Sequence, residues 1–339
     1  GNVMVTGFVC KNNIISAQRR ILEMNYTNSG QIYGNTISLV QPTSTALGYG
    51  IWTSNGCAGT FNIYSNKFIA SSCSGSETAA GGQRVLSLGG NVTCNVYNNM
   101  FAGMDRAGTA TGAVNQTYCF FGCTGKIYNN TFYMPALTVK TNTGYYTAIQ
   151  LSFANPEIKN NIFISNEDAM VNAFYSAVTT GVSDFNVFYN RVGNTKALFV
   201  SGTATSTFAA YQAAYPTKDK NSKNVDVNFV SSTDLTPTGS SIGDPNLAAP
   251  RISTVLTDIA GTSRAALTYA GAFEASDMTA IAKQFTVTVP NGTQKVYITG
   301  DFTGKSWDNT DPLQLTAQTA ANVFSGIFPC VDGVNYKYL

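Results

Sequence analysis

The sequence predicts an all-β protein in which a parallel β-helix is followed by a small, incomplete β-sandwich-like segment. Three observations lead to this prediction. A short motif of an apolar residue, an asparagine and a second apolar residue recurs along the first half of the chain. The segments around it are rich in Tyr, Phe, Ile, Val and Thr, which favour strands over helices. After the motif ends, alternating strand patterns around tight turns replace it.

The motif is clearest in five stretches: "GQIYGNTISL", "FNIYSNKFIA", "CNVYNNMFAG", "GKIYNNTFYM" and "PEIKNNIFIS". With an earlier copy and a degenerate later one, the spacings are 22, 31, 33, 31, 31 and 25 residues between Asn13, Asn35, Asn66, Asn99, Asn130, Asn161 and Asn186. A large apolar residue stands two positions after each asparagine, and Ile or Val stands three positions before it in the clearest copies. Alternation around a turn-prone residue predicts strand, short turn, strand.

Each repeat also carries an earlier apolar run, which predicts a further strand. These runs are "RRILEM", "GIWTS", "RVLSL", "YCFFG", "TAIQLSF" and "NAFYSA". Two or three short strands per repeat, joined by loops of variable length, predict successive coils of a parallel β-helix. Like residues then stack on like residues from one coil to the next.

The repeated asparagine is predicted to have a structural role. Asparagine tolerates the left-handed backbone region and therefore fits a sharp bend between two strands. Its amide carries donors and an acceptor, so asparagines in successive coils can form a hydrogen-bonded ladder along the axis. We expect one column of Asn35, Asn66, Asn99, Asn130 and Asn161 beside a buried column of Phe68, Phe101, Phe132 and Phe163.

Composition excludes several classes of function. The 339 residues include no histidine, which removes Ser-His-Asp and Cys-His catalysis and His-containing zinc sites. The net charge of +2 comes from scattered Lys and Arg without a basic run, so no nucleic-acid partner is expected. The seven cysteines include no CxxC pair, which argues against thiolate metal binding and leaves free thiols and disulfides both open. No apolar run is long enough to predict a membrane span.

With these motifs the chain resembles the right-handed parallel β-helix family, in particular the secreted bacterial branch related to pectate lyases. The "IxNNxF" copies carry the resemblance from about Phe8 to Asn190. A second part lies between Val225 and Glu274, where "TDIAGTSRAALTYAGAFE" looks like the closing segment of such proteins. The resemblance implies a β-helical domain over residues 1–276 and a secreted or cell-surface location. It implies no single activity, because this fold hosts lyases, hydrolases, adhesins and structural proteins.

The segment 281–339 resembles the first half of a starch-binding-type carbohydrate-binding module or a related immunoglobulin-like sandwich. The similarity rests on the "VYITG" strand, the "SWD" turn from Ser306 to Asp308 and the "YKYL" strand. A complete sandwich needs roughly 100 residues, so this one is expected to lack strands. Trp307 matches the family's tryptophan and is a candidate either for anchoring the fold or for contacting sugar.

Catalytic candidates are few, because acidic residues are scarce in the coil and form no repeated column. In the lyases of the family, the groove carries a Lys or Arg base and an acidic cluster that binds calcium. The candidates here are Arg84, Asp105 and Arg106, which combine opposite charges on neighbouring coils. We expect no metal site and no cofactor, with calcium needed only if the protein is a lyase, and no β-elimination of uronate polymers.

The early strand of each coil offers residues suited to an outward groove, because sugars bind through aromatic faces and planar polar groups. The outward-groove candidates are Arg20, Glu23, Trp52, Arg84, Gln150 and Tyr175. Of these, Trp52, Arg84, Gln150 and Tyr175 are the binding candidates, with Trp307 in the tail. The expected function is carbohydrate recognition by a rigid scaffold, with a polysaccharide or glycan as partner. Two alternatives stay open: a polysaccharide lyase or glycoside hydrolase, and an adhesin or filament subunit. A groove lined by Trp, Tyr and amides favours binding, whereas several acids beside one Lys or Arg favour an enzyme.

Overall fold

A computed structural model of the chain has an all-β architecture of parallel coils followed by an antiparallel sheet. It describes residues 3–17, 20–40, 48–70, 83–103, 116–136, 145–151, 155–166, 172–174, 181–192, 198–200, 203–205, 207–274, 282–302, 305–306, 312–329 and 335–339.

The strands of the coils are β1 (Val5–Lys11), β2 (Ile14–Ala17), β3 (Arg20–Met24), β4 (Thr27–Tyr33), β5 (Thr36–Leu39), β6 (Gly48–Thr53), β7 (Ala58–Tyr64), β8 (Lys67–Ala70), β9 (Gln83–Tyr97), β10 (Met100–Ala102), β11 (Gln116–Tyr128), β12 (Thr131–Met134), β13 (Tyr145–Leu151), β14 (Glu157–Lys159), β15 (Ile162–Ser165), β16 (Asn172–Phe174), β17 (Val182–Asp184), β18 (Val187–Asn190), β19 (Leu198–Val200) and β20 (Thr203–Thr205). They are followed by helix α1 (Phe208–Ala214), short 3-10 turns at Gly239–Ser241 and Pro245–Leu247, and strands β21 (Ala248–Pro250), β22 (Leu267–Tyr269), β23 (Ala282–Thr288), β24 (Val296–Phe302), β25 (Lys305–Ser306), β26 (Leu313–Ala317), β27 (Val323–Pro329) and β28 (Tyr336–Tyr338).

Three rows of parallel strands run along the coil axis. The first-strand row contains β3, β6, the first halves of β9 and β11, then β13, β16 and β19. The second-strand row contains β1, β4, β7, the second halves of β9 and β11, then β14 and β17. The third-strand row contains β2, β5, β8, β10, β12, β15 and β18. The predicted parallel β-helix is confirmed by this arrangement.

The interior is built from columns of identical or similar side chains. Phe68, Phe101, Phe132, Phe163 and Phe188 are buried in register on the third-strand row, with successive ring centroids 4.7, 4.6, 4.9 and 5.1 Å apart. These separations match the spacing of strands in a sheet, so each coil stacks its ring directly on the next. A second buried column on the second-strand row contains Ile32, Ile63, Val96, Ile127 and Ile158.

The asparagine ladder is confirmed as well. Each side-chain Nδ2 donates to the Oδ1 of the next asparagine at 2.9 to 3.1 Å, along the series Asn13, Asn35, Asn66, Asn99, Asn130, Asn161 and Asn186. The backbone N–H of each asparagine donates to the same next Oδ1. From Asn35 onward Nδ2 also donates to a carbonyl of the preceding coil, as Asn130 does to Val96. The buried amides therefore satisfy their hydrogen-bonding groups within the fold.

The sharp bend is made by the residue before each ladder asparagine. That residue has φ between 50° and 66° in seven successive coils: Asn12, Gly34, Ser65, Asn98, Asn129, Asn160 and Phe185. Asparagine pairs therefore divide the two roles proposed for a single asparagine: the first takes the left-handed conformation and the second forms the ladder.

Helix α1 and the loop after it close the last coil. Phe208 continues the phenylalanine column at 5.9 Å from Phe188, and Tyr211 packs fully buried behind it. Asp219 ends the ladder, because Asn186 Nδ2 donates to its Oδ1 at 3.0 Å and the Tyr211 hydroxyl donates to its Oδ2 at 2.7 Å. The backbone N–H and one Nδ2–H of each ladder asparagine point towards this end, so a carboxylate is well placed to accept from the last Nδ2.

The segment 225–274, here called the closing segment, covers the outer side of the third-strand row. Apolar residues of that row, including Met100, Ile162 and Val187, pack against Leu247, Ala249, Tyr269 and Ala272. The first asparagines of three pairs also reach it: Asn98 donates to the Thr257 carbonyl at 2.5 Å, Asn129 to that of Tyr269 at 3.3 Å and Asn160 to that of Pro250 at 2.7 Å.

The Gly-Ala-Phe-Glu ending predicted for this segment is docked tightly against the coils. Gly271 has φ 88°, and a Cβ at this position would lie 2.7 Å from both Ile162 and Thr131. Arg264, fully buried, donates to Glu274 at 3.0 Å and to the Asn98 side chain at 3.0 Å. Glu274 in turn accepts a hydrogen bond from Thr268. These charges are paired and hydrogen-bonded, which a buried ion pair requires.

The tail forms a separate antiparallel sheet of six strands, β23 to β28. Phe285, in β23, pairs with Gly326 of β27 rather than with a coil strand. The sheet has its own apolar cluster, which contains Phe285, Val296, Ile298, Phe302, Leu315 and Phe324. Across the described residues of the whole chain, no helix has both the length and the apolarity needed to span a membrane.

Candidate functional site

Four side chains of the first-strand row form an exposed cluster, here called the Trp52 patch: Arg20, Glu23, Tyr49 and Trp52. The pairing of β3 with β6 places Arg20 in register with Tyr49, and Glu23 in register with Trp52. The patch therefore spans two neighbouring coils at two positions along each strand.

The patch depends on a break in strand alternation. Side chains three positions apart point to opposite faces of a regular strand. In β6, however, Gly50 and Ile51 are both buried, whereas Tyr49 and Trp52 are half-buried and their rings stack with centroids 4.7 Å apart. Gly50 allows this, because a Cβ there would lie 2.3 Å from the Val85 carbonyl oxygen.

The neighbouring coil repeats the spacing with charged residues. In β3, Arg20 and Glu23 are also three positions apart, and Arg20 Nη1 donates to Glu23 Oε2 at 2.8 Å. The guanidinium carbon of Arg20 lies 4.6 Å from the centroid of the Trp52 ring. The Arg20 and Glu23 side chains keep 40% and 29% of their surface exposed. The patch thus offers aromatic rings, a guanidinium and a carboxylate to solvent on a rigid sheet.

The other predicted site residues are placed as follows. Arg84 stands in register with Tyr49 on the next coil, so it extends the patch by one strand. Gln150 lies on the column of Trp52, three strands further along, and its side chain is outside the described part. Ser87 lies between them on that column and is only 3% exposed, so the patch is covered there. Four candidates lie outside the described residues: Asp105, Arg106, Tyr175 and Trp307.

A second surface, which the sequence analysis did not single out, lies on the second-strand row. We call it the tyrosine-amide face; it contains Tyr33, Tyr64 and Tyr97 in one column and Gln31, Asn62 and Asn95 in the next. The tyrosine rings stack at 4.7 and 4.9 Å, within 4° of parallel. Asn95 Nδ2 donates to Asn62 Oδ1 at 2.8 Å. The tyrosine in "IYGN", "IYSN" and "VYNN" was the available signal, but its inward or outward direction could not be told from the sequence.

Two phenols of this face, those of Tyr64 and Tyr97, have raised pKa values. Burial raises the pKa of Tyr97 to about 12, and the neighbouring Tyr64 adds to the rise. Burial also raises the pKa of Tyr64, with a further contribution from Tyr33. These hydroxyls are therefore hydrogen-bond donors and acceptors rather than charges.

Charged residues bound the tyrosine-amide face at its ends. Lys11 precedes Tyr33 in the tyrosine column, and Lys126 follows Asn95 in the amide column. One coil beyond, the hydroxyl of Tyr128 donates to Glu157 Oε2 at 2.5 Å. This hydrogen bond lowers the pKa of Glu157, and the charges of Lys159 and Lys126 act in the same direction.

The cysteines and acidic residues in the described part of the chain form no metal site. Among those residues, no group of three or more Cys, Asp or Glu side chains is arranged to hold a metal ion. Of the described cysteines, Cys10 is half-buried, and Cys57 and Cys94 are buried. The buried acids Asp219 and Glu274 belong to the closure of the coil, and burial raises the pKa of each.

Comparison with protein-family models, with curated proteins and with solved structures finds no match to this chain. The functional conclusion therefore rests on the geometry of the outer surfaces.

Proposed function

We propose that the protein is a carbohydrate-recognition scaffold, secreted or at the cell surface, that binds a glycan at the Trp52 patch. The observation that carries the proposal is the half-buried stack of Tyr49 on Trp52 with the Arg20 guanidinium against the Trp52 ring. Aromatic rings contact the apolar faces of sugars, and planar charged groups hydrogen-bond to their hydroxyls.

The rigidity of the support favours binding. Strand β6, which carries Tyr49 and Trp52, is hydrogen-bonded on both sides, to β3 and to β9, and β3 is held in register with it. Side chains held in one arrangement lose little entropy when a ligand docks. The resemblance to β-helical polysaccharide-active proteins and the weakly charged composition support the same class of ligand.

Binding is favoured over hydrolysis by the state of Glu23. Hydrolysis of a glycosidic bond uses two carboxyl groups about 5 to 10 Å apart. Glu23 is paired with Arg20, and the described residues in register with it on the next two strands are Trp52 and Ser87. Within that described region Glu23 thus serves as a fixed polar anchor.

A glycan array followed by titration calorimetry tests the proposal. Wild-type protein is screened first, and its best ligand is then titrated into Trp52→Ala and Trp52→Phe. We expect Trp52→Ala to bind at least about tenfold more weakly, because an aromatic contact is lost, and Trp52→Phe to keep most of the affinity. Ile14→Ala, at an exposed position of β2, is the control and should bind as wild type. An array without a bound glycan, or wild-type affinity in Trp52→Ala, would overturn the proposal.

A further inference from the structure

The tyrosine-amide face combines repetition with exposure. Asn62 and Tyr64 are half-buried on the outer side of β7, whereas Phe61 and Ile63, which alternate with them along the strand, are fully buried. Packing of the interior requires the inward residues to repeat, but it sets no such demand on the outward ones. The same two residue types nevertheless recur outward on successive coils.

Stacking gives the tyrosine rings a defined orientation. Because their faces lie against one another at 4.7 and 4.9 Å, ring edges and hydroxyl groups are what the column presents to a ligand. Phenylalanine would stack equally well, so the hydroxyls add nothing to this packing. The column therefore presents one phenol group per coil, and the adjacent column presents one amide per coil.

The chemistry of the face is that of an uncharged, hydroxyl-rich polymer. Gln31, Asn62 and Asn95 offer amide donors and acceptors, and the three tyrosines offer neutral phenols. Among the described residues of these two columns, the charged side chains lie before and after this stretch: Lys11 at one end, and Lys126, Glu157, Lys159 and Asp184 at the other. A polymer with a carboxylate on every unit would therefore meet no compensating cation along the middle of the face.

A shallow depression marks one end of the same face. It has a volume of about 130 Å³ and is lined by Gly7, Ser29, Gln31, Thr60 and Asn62, among others. Its surface is mostly apolar, with Phe8 and Val9 among the lining residues and hydroxyl and amide side chains beside them, so the apolar face of a sugar ring would fit at this end.

We infer that the tyrosine-amide face is a second binding site, which takes an unbranched, uncharged polysaccharide lying along the coil axis. Its hydroxyl groups bond to the phenol and amide columns. This site is on a different strand row from the Trp52 patch and stands on different observations.

The test uses a triple variant, Tyr33→Phe with Tyr64→Phe and Tyr97→Phe, which keeps the stacked rings and removes their hydroxyls. Neutral cello-, manno- and xylo-oligosaccharides of increasing length are titrated into the full chain, with oligogalacturonates as the charged counterparts. We expect at least one neutral series to gain affinity with length until it spans the face, about 10 Å for the two strand spacings from Tyr33 to Tyr97. The triple variant should bind that series at least about tenfold more weakly, with a melting temperature within about 2 °C of wild type.

The controls separate this site from the Trp52 patch. Lys67→Ala, exposed on the third-strand row, should bind as wild type. Equal binding by the triple variant, equal or tighter binding of oligogalacturonates, or no binding of any neutral series would overturn the inference. If Trp52→Ala loses glycan binding and the triple variant keeps it, the Trp52 patch alone is supported. If the triple variant loses binding and Trp52→Ala keeps it, the tyrosine-amide face alone is supported.

Discussion

The asparagine ladder and the tyrosine-amide face are both built from columns of like side chains with one member per coil. They differ in where the hydrogen-bonding groups of those side chains find their partners. In the ladder, the Oδ1 of Asn161 accepts from two groups of Asn130, and its Nδ2 donates to the Ile127 carbonyl and to Asn186. On the face, the tyrosines are half-buried, beside an amide column in which Gln31 is exposed and the two asparagines are half-buried. The ladder amides are hydrogen-bonded within the coil, whereas the side chains of the face are accessible from solvent.

Repetition alone therefore does not tell side chains that stabilise the coil from side chains that bind a ligand. Repeated side chains that are buried and fully hydrogen-bonded stabilise the coil. Repeated side chains that are outward and open to solvent form a regular surface that a polymeric ligand can follow. The Trp52 patch is a third case, since its members change from coil to coil: Arg20 gives way to Tyr49, and Glu23 to Trp52.

The largest effect is expected in the phenylalanine column. Phe132→Ala should lower the free energy of unfolding by about 3 to 5 kcal/mol, because it opens a cavity between Phe101 and Phe163. Urea unfolding followed by circular dichroism measures this change. Ile14→Ala, at a position 89% exposed, is the control and should change stability by less than about 0.5 kcal/mol. An unchanged transition for Phe132→Ala would contradict the stacked core.

The next effect compares an asparagine inside the coil with one outside it. Asn161→Ala should cost about 2 to 4 kcal/mol, because the buried N–H groups of Asn130 lose their acceptor and the Ile127 carbonyl loses a donor. Asn95→Ala removes the same side chain from the outer face and should cost less than about 1 kcal/mol. Equal losses of stability for Asn161→Ala and Asn95→Ala in urea unfolding would mean that internal hydrogen bonding does not distinguish the ladder from the outer amide column.

A smaller effect is expected where an asparagine holds the closing segment. Asn160→Gly keeps the left-handed backbone, at φ 58°, and removes the 2.7 Å hydrogen bond to the Pro250 carbonyl. It should cost about 1 kcal/mol. Ser65→Gly, which also has a left-handed backbone, is the matched control for the entropy that glycine adds to the unfolded chain. If both variants lose the same stability, the contact with the closing segment contributes nothing.

The end of the ladder should make stability depend on pH. Burial raises the pKa of Asp219, so the folded chain holds its proton to a higher pH than the unfolded chain does. Between the two pKa values the native state binds more protons, and the free energy of unfolding therefore falls as pH rises through that window. Above the folded pKa the loss is complete and the dependence levels off.

Asp219→Asn isolates this dependence, because it cannot titrate and still accepts hydrogen bonds from Asn186 and Ser222. Urea unfolding of both proteins from about pH 4 to about pH 7 gives the difference. The stability of the variant relative to wild type should increase with pH. Burial also raises the pKa of Glu274, but this residue is present in both proteins, so its contribution cancels in the difference. A difference that stays constant over this range would contradict the assignment.

The coil could be predicted from the sequence because its interior repeats. Asn66, Asn99 and Asn130 occupy one phase of the motif and Phe68, Phe101 and Phe132 another, so the ladder and the aromatic column followed from spacing alone. The left-handed residue was assigned less well, because asparagine stands at both positions of the pair in four coils.

The outer surfaces were harder to predict for physical reasons. Tyr49 and Trp52 share a surface only because alternation breaks at Gly50, and two-residue periodicity cannot reveal that. The direction of Tyr64 depends on which neighbours are buried. The contact between Arg264 and Asn98 joins residues 166 positions apart, so no local pattern announces it.

The most direct test of the account is a calorimetric titration of Trp52→Ala with the best ligand of the wild-type array, beside its melting curve. Trp52 lies on an open outer surface, so the account predicts affinity at least about tenfold weaker with a melting temperature within about 2 °C of wild type. Wild-type affinity in this variant would contradict the assignment of binding to the patch. A melting temperature lowered as far as that of Phe132→Ala would show instead that Trp52 supports the fold.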